Sequence, residues 1–308
     1  MTTKDILMEV FFVMCGLMDF YIAAKTIKQK DHPSRITTAI FWATLGLIMV
    51  IGKWLPPVVV GALIVIMTLP AMFNKVHKGT VVETDLSYSE KMSEKLGMKI
   101  FVPALAIGTF AIIFGLLIPK LGALVGTGVG AIAGAVIMAV MANDKLKYVP
   151  REGSRLLESV GPVNVLPQLL ASLGAIFTAA GVGEVISGIV GKIIPEGNMF
   201  IAVVVYAVAM ALFTMIMGNG FAAFSVITVG IGVPFVISKG YDPSMVGLLA
   251  LTCGYCGTLM TPMAANFNIV PIALLEMKDK YGVIKKQIPI AICLLIFQIF
   301  YIYFFGKI

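Results

Sequence analysis

Charge is scarce in this chain. Asp, Glu, Lys and Arg make up 13% of the 308 residues, while 59% are apolar and the mean hydropathy is +0.99. A soluble domain carries about a quarter charged residues, so a soluble fold is excluded and an integral membrane protein is expected. Histidine is scarcer still, with only His32 and His77, both in polar stretches. Histidine-based metal or proton chemistry in the bilayer core is thereby removed, and with it a serine–histidine hydrolase. Of 16 acidic residues only Glu9, Asp19 and Glu184 fall inside apolar stretches. Asp19 is the single aspartate among them, which excludes a paired-aspartate protease. A lipid-modifying transferase would need more in-membrane cations or metal ligands than are present. The four cysteines (Cys15, Cys253, Cys256 and Cys293) all lie in apolar segments, so no disulfide framework is indicated. The Cys253-Gly-Tyr-Cys256 spacing has no second pair and no nearby histidine, and it reads as packing.

What is abundant is apolar sequence in long runs. A crossing helix needs about 20 mostly apolar residues. Segments 6–24, 36–52, 56–74, 99–118, 120–141 and 287–306 meet that directly, and 162–195, 198–217, 220–238 and 244–275 are longer or interrupted. An all-α polytopic membrane protein with about ten transmembrane segments is expected. Broken or re-entrant helices are expected in its C-terminal half. The stretch 6–24 holds Glu9 and Asp19 and lacks a small-x-small site, so no cleavable signal is expected. Seventeen of the 23 cations cluster in four loops: Lys25 to Arg35, Lys75 to Lys99, Lys145 to Arg155, and Lys278 to Lys286. Ten crossings with both termini outside put all four loops on one side, which the positive-inside rule makes cytoplasmic. The net charge of +7 is therefore topological, and nucleic-acid binding is not expected. The loop 75–98 mixes Glu83, Asp85, Glu90 and Glu94 with lysines. It reads as a short amphipathic surface helix with Ser87 as its cap.

Irregular backbone at membrane depth is tolerated only when buried in protein or lining a water-filled cavity. Three stretches qualify. In the first, Pro162 to Pro195 spans 34 residues, about 50 Å if wholly helical, so it must bend, break or fold back near Gly181 and Gly183. Asn164 and Gln168 share a helix face there, and Glu184 follows the break. A surface turn with a solvated Glu184 is the alternative. In the second, Gly218-Asn219-Gly220 separates two apolar runs. A helix starting after it would aim unpaired N–H groups at whatever lies beside Asn219, with Ser225 and Thr228 on one face. A plain inter-helix turn is the alternative. The third runs from Thr252 to Asn268. Pro262 donates no backbone hydrogen bond, which frees a carbonyl near Thr258. Gly257, Thr258, Thr261, Asn266 and Asn268 supply small, neutral polar groups around it. Such breaks suit sodium and a carboxylate, and broken helices of this kind mark secondary transporters. A kinked helix packed through small residues is the alternative.

Elsewhere, Gly122, Gly126, Gly128, Gly130 and Gly134 read as a close helix contact. Asp19 is expected to pair with Lys25 or Lys28, and Glu9 to be solvated near the outer end.

The run from Gly218 to Thr228 resembles the polar break of gluconate-permease-like carboxylate carriers. The run from Gly254 to Phe267 resembles the Thr/Pro/Asn break of the same ion transporter superfamily. More closely, the whole chain resembles one half of a bacterial two-component permease family whose members sit beside a shorter membrane protein, often near enzymes of 5-oxoproline metabolism. The resemblance implies inverted repeats, an elevator mechanism and a small carboxylate substrate, with 5-oxoproline the best specific candidate. Complete carriers of the superfamily are longer and carry two breaks of each kind. This chain has the Thr-Pro-Asn break once, so a split carrier completed by a second, shorter polytopic partner is implied.

The expectation is therefore a transporter subunit of the bacterial inner membrane, not an enzyme. It needs no cofactor and no metal beyond a sodium ion, with sodium or a proton as coupling ion. Residues 1–158 are expected to form a five-helix, scaffold-like region, and 159–308 the transport-like region. The candidate ligands are Asn164, Gly218, Asn219, Gly220, Ser225, Gly257, Thr258, Thr261, Pro262, Asn266 and Asn268, with Glu184 as a proton or cation ligand. A non-transporting scaffold subunit and an intramembrane enzyme are the competing readings.

Overall fold

The computed structural model describes residues 2–79, 86–143, 149–192, 194, 195, 197–275 and 277–307. Among these residues every regular element is a helix and no strand occurs. The chain separates into two compact units, Met1–Gly161 and Pro162–Ile308.

The first unit contains α1 (Thr3–Lys28), α2 (Arg35–Ile51), α3 (Pro57–Met72), α4 (Leu86–Leu96), α5 (Val102–Leu117), α6 (Gly122–Ala142) and α7 (Val149–Val160). The glycine pattern in α6 packs as its spacing suggests. Gly126, Gly130 and Gly134 recur every four residues on one face, and a Cβ at Gly130 or Gly134 would lie 2.7 Å from the Ile107 Cα or the Pro103 carbonyl of α5. Gly128 turns instead to Phe11 of α1. Helix α4 is the expected amphipathic helix of loop 75–98, but Ser87 is its second residue and not its cap. Glu83 and Asp85 lie outside the described residues.

The expected acid pairings are corrected. Lys25 meets Glu158 of α7 at 2.7 Å, and Asp19 has no ion pair among the described residues. Glu9 is not free in solvent but pairs with Lys53 at 2.9 Å.

The second unit contains α8 (Leu166–Ala179), α9 (Val182–Val190), α10 (Met199–Met217), α11 (Gly220–Ile227), α12 (Val233–Phe235), α13 (Pro243–Leu259), α14 (Val270–Leu274) and α15 (Gly282–Phe305). Its core is built where α10, α13 and α15 meet, around fully buried Tyr206, Met210, Ala250, Cys253 and Ile302. Wide helical turns at Thr228–Gly232 and Ala265–Ile269 join α11 to α12 and lead into α14. Before α15, Asp279 accepts the Tyr281 N–H and pairs with Lys285. Those two bonds hold its carboxyl below the usual aspartate range.

Among the described residues seven helices are long and apolar enough to cross a bilayer, and an eighth crossing is available if a bent pair counts as one span. That pair, Ser172–Ala179 and Val182–Val190, is bent by 67°. The bend falls at Gly181, whose φ of +70° is left-handed and suits glycine. Pro57–Met72 and Pro243–Leu259 are shorter apolar helices. At 16 and 17 residues they span about 25 Å, less than an approximately 30 Å hydrocarbon core. The protein is thus an all-α polytopic membrane protein.

Candidate functional site

The second and third breaks meet in space. Helix α10 ends at Gly218, which adopts a left-handed conformation (φ +70°) and donates its N–H to the Thr214 carbonyl at 2.7 Å. A Cβ at Gly218 would also collide with the Met263 carbonyl, so this glycine serves both the turn and the close approach of the two breaks. Asn219 then caps α11. Its Oδ1 accepts the N–H groups of Phe221 (2.9 Å) and Ala222 (3.2 Å). Two of the amides expected to point unpaired at a ligand are therefore taken by Asn219 itself. Gly220 lies against the Tyr255 ring, which sits between Phe221 and Phe267 with ring centroids 6.1 and 6.2 Å away.

The third break follows Leu259. Thr261 is buried and acts as a clip. Its hydroxyl donates to the Met215 carbonyl at the end of α10 (2.8 Å) and accepts the Met263 N–H (3.2 Å). The carbonyl that Pro262 was expected to free is occupied too. Asn268 is wholly buried, and its Nδ2 donates to both the Thr258 carbonyl (2.8 Å) and the Thr261 carbonyl (2.6 Å). The Thr258 hydroxyl bonds back to the Tyr255 carbonyl at 2.6 Å. Most polar groups in the break thus cap helix ends, as orphan terminal carbonyls require.

Two buried oxygens are exceptions. Asn268 Oδ1 and Thr214 Oγ1 have no hydrogen-bond partner among the described residues, and both residues are 0% exposed. Leaving such a group unsatisfied costs about 1–3 kcal/mol, so each calls for an occupant or a reason.

The remaining candidates distribute as follows. Gly257 packs its Cα against the Ala211 backbone of α10, a contact role, and Pro262 is exposed. Ser225 and Thr228 do not share a free face. Ser225 lies 3.4 Å from the Thr178 hydroxyl of α8, whereas Thr228 bonds the Tyr206 hydroxyl of α10 at 2.8 Å. Glu184 is exposed in the first turn of α9, beside the bend and apart from the paired breaks. Asn164 and Asn266 lie on helical backbone, but their side chains are outside the described residues. No cluster of three or more metal-ligating side chains occurs among the described residues.

Sequence reasoning missed Thr214. It sits four residues before Gly218, on the last full turn ahead of the break, and that offset was its one available signal. No curated protein and no solved structure is significantly similar to the chain. The family model described as "Protein of unknown function (DUF979)" matches residues 9–306, and the chain belongs to that family.

Proposed function

We propose that the chain is a subunit of a cation-coupled secondary transporter for a small organic carboxylate, 5-oxoproline being the best specific candidate. In this reading residues 159–308 carry the site, and 1–158 hold it in the bacterial cytoplasmic membrane. A shorter polytopic partner completes the carrier, which moves by an elevator motion. The observation that carries the proposal is Asn268 Oδ1, a neutral oxygen buried without a partner among the described residues where two interrupted helices converge. Hard cations take neutral oxygens of this kind, and interrupted helices supply them at transporter sites. A sodium ion there would offset the charge of a bound carboxylate in a region that brings no cationic side chain from α10, α11 or α13. Asn219 and Thr261 then position the two breaks around the site.

The test is uptake of labelled 5-oxoproline into vesicles under an imposed sodium or proton gradient, with and without the protein that co-purifies with the chain. Gradient-dependent uptake that needs both proteins is expected. No uptake with both present would sink the reading, and uptake by this chain alone would sink the split carrier. Undiminished, still ion-dependent uptake by the double variant Asn219→Ala/Thr261→Ala would remove these residues from the site.

A second reading, a non-transporting scaffold subunit, is favoured by the internal hydrogen bonds of Thr261, Thr258 and Asn219. Under it the same double variant lowers stability and leaves transport per folded complex unchanged.

A further inference from the structure

Helix α1 takes part in two ion pairs and holds, between them, one acid that has none. Glu9 pairs with Lys53, and Lys25 with Glu158. Asp19 stands ten residues after Glu9 and six before Lys25, about 15 Å and 9 Å along the helix axis. It therefore lies in the apolar stretch between the polar ends of a helix that is long enough to cross a bilayer. Its exposure is only 4%, and among the described residues it accepts no hydrogen bond and enters no ion pair. Backbone contact is what buries it. A Cβ at Gly16 would lie 2.8 Å from the Gly46 carbonyl oxygen of α2. One at Gly46 would lie 2.9 Å from the Gly16 carbonyl oxygen and 3.3 Å from the Asp19 Cβ. The glycine pair lets α2 close directly over Asp19.

The elements around Asp19 bring nothing to balance a negative charge. It shares its buried face with Gly16, Ile22, Ala23 and Thr26, and the Thr26 hydroxyl is spent on the Ile22 carbonyl. Cys15 and Tyr21 of α1 titrate only to anions. The buried face of α2 has no ionisable side chain, and Arg35, its one charged residue, is about 16 Å from Gly46 along the axis. Helix α6, also packed on α1, has no ionisable residue at all. Helix α7 brings Arg151, Glu152, Arg155 and Glu158. Of these, Glu158 takes Lys25, Glu152 takes Arg155, and Arg151 is exposed.

We infer that Asp19 is a proton-binding site inside the membrane-spanning part of the first unit, its carboxyl carrying a proton at physiological pH. An ionised carboxylate without a partner is so costly in low-dielectric surroundings that the group takes up a proton and becomes neutral. Glu9 and Glu158 are the contrast within the same unit, because a lysine beside each favours the ionised form. A metal ion fits less well than a proton. It needs several ligands, and no group of three or more His, Cys, Asp or Glu side chains forms among the described residues. Intramembrane carboxylates in such settings serve as proton relays. Resting on the transport reading, residues 1–158 then take part in coupling to a proton gradient and are more than a scaffold; the protonation itself does not depend on that reading.

The experiment is infrared difference spectroscopy of the full chain and Asp19→Asn in lipid nanodiscs at roughly pH 6, where an ordinary aspartate is almost wholly ionised. The expected result is a neutral-carboxyl carbonyl band, equivalent to one group per chain, that the variant lacks. A difference spectrum that shows loss of carboxylate bands instead overturns the inference. So does a neutral band that sodium converts to carboxylate, since the ligand is then a metal cation. Asp19→Asn is nearly isosteric with the neutral acid and is expected to fold. Should it not, dicyclohexylcarbodiimide decides on the unmutated chain. This apolar reagent adds a protonated carboxyl across its C=N bond, and an acyl shift leaves a stable N-acylurea with no leaving group. Mass spectrometry should find Asp19 modified and the ion-paired Glu9 and Glu158 spared, whereas an unmodified Asp19 overturns the site. A neutral Asp19 in a chain without uptake keeps this inference and sinks the transport reading, and uptake with an ionised Asp19 does the reverse.

Discussion

Replacing Asn268 by alanine removes the donor that closes the third break. Two carbonyls, those of the buried Thr258 and Thr261, then lose a bond each, at about 1–3 kcal/mol apiece. Against that, the variant also deletes the unpartnered Oδ1, which relieves a cost of the same size, and leaves a small void. The net expectation is a destabilisation of about 2–4 kcal/mol. Asn268→Asp distinguishes this account from mere loss of packing. It is nearly isosteric, but it turns an oxygen toward two carbonyl oxygens, so in sodium-free buffer it is more destabilising than alanine. Unfolding can be followed through Cys253 and Cys256, which are buried, with a thiol-reactive dye in a background where the exposed Cys15 and Cys293 are serine. A free-energy change below about 0.5 kcal/mol for Asn268→Ala, or alanine worse than aspartate, would refute the capping argument. The same titration examines the cation. A ligand of the native state adds about 2.7 kcal/mol at a hundredfold excess over its Kd. Sodium should therefore stabilise the unmutated chain and leave Asn268→Ala unmoved, whereas equal stabilisation of both removes Asn268 from the ion site.

Two further perturbations examine other parts of the molecule. Lys25→Met strands Glu158, whose side chain is 3% exposed, and is expected to cost about 2–4 kcal/mol after discounting for the partial exposure of Lys25. Adding Glu158→Leu should recover part of that loss in a double-mutant cycle, and a fully additive cycle would contradict a coupled pair. Thr214→Val removes an orphan hydroxyl without removing a hydrogen bond, so unfolding should show it neutral or up to about 1 kcal/mol more stable. A loss above about 1 kcal/mol would mean that the hydroxyl has a partner in the native state.

Sequence nearness and the final pairing of polar groups come apart in this protein, and the reason is physical. The breaks themselves were legible because they rest on local backbone chemistry. Left-handed turns want glycine, and Gly181 and Gly218 are both at φ +70°; a proline interrupts the helical hydrogen bonds, and α13 has ended before Pro262. What occupies the freed groups is decided by packing between distant segments, and the chain order carries almost no trace of it. Asp19 and Lys25 are six residues apart and do not pair, whereas Lys25 reaches Glu158, 133 positions away, because α7 packs on α1. Thr261 closes the end of α10 from 46 residues away. Thr214 shows the same division at one hydroxyl. Threonines in apolar helices ordinarily bond back to the carbonyl four residues earlier, as Thr26, Thr109, Thr127 and Thr178 all do here at 2.8–3.0 Å. By composition Thr214 belongs with those four, yet its hydroxyl has no partner among the described residues, on the turn that leads into the paired breaks. That hydroxyl and Asn268 Oδ1 both belong to the segments that form the paired breaks, while the third such oxygen among the described residues, Gln287 Oε1, lies on α15. The density of threonine and asparagine alone could not have separated those two oxygens from their satisfied neighbours.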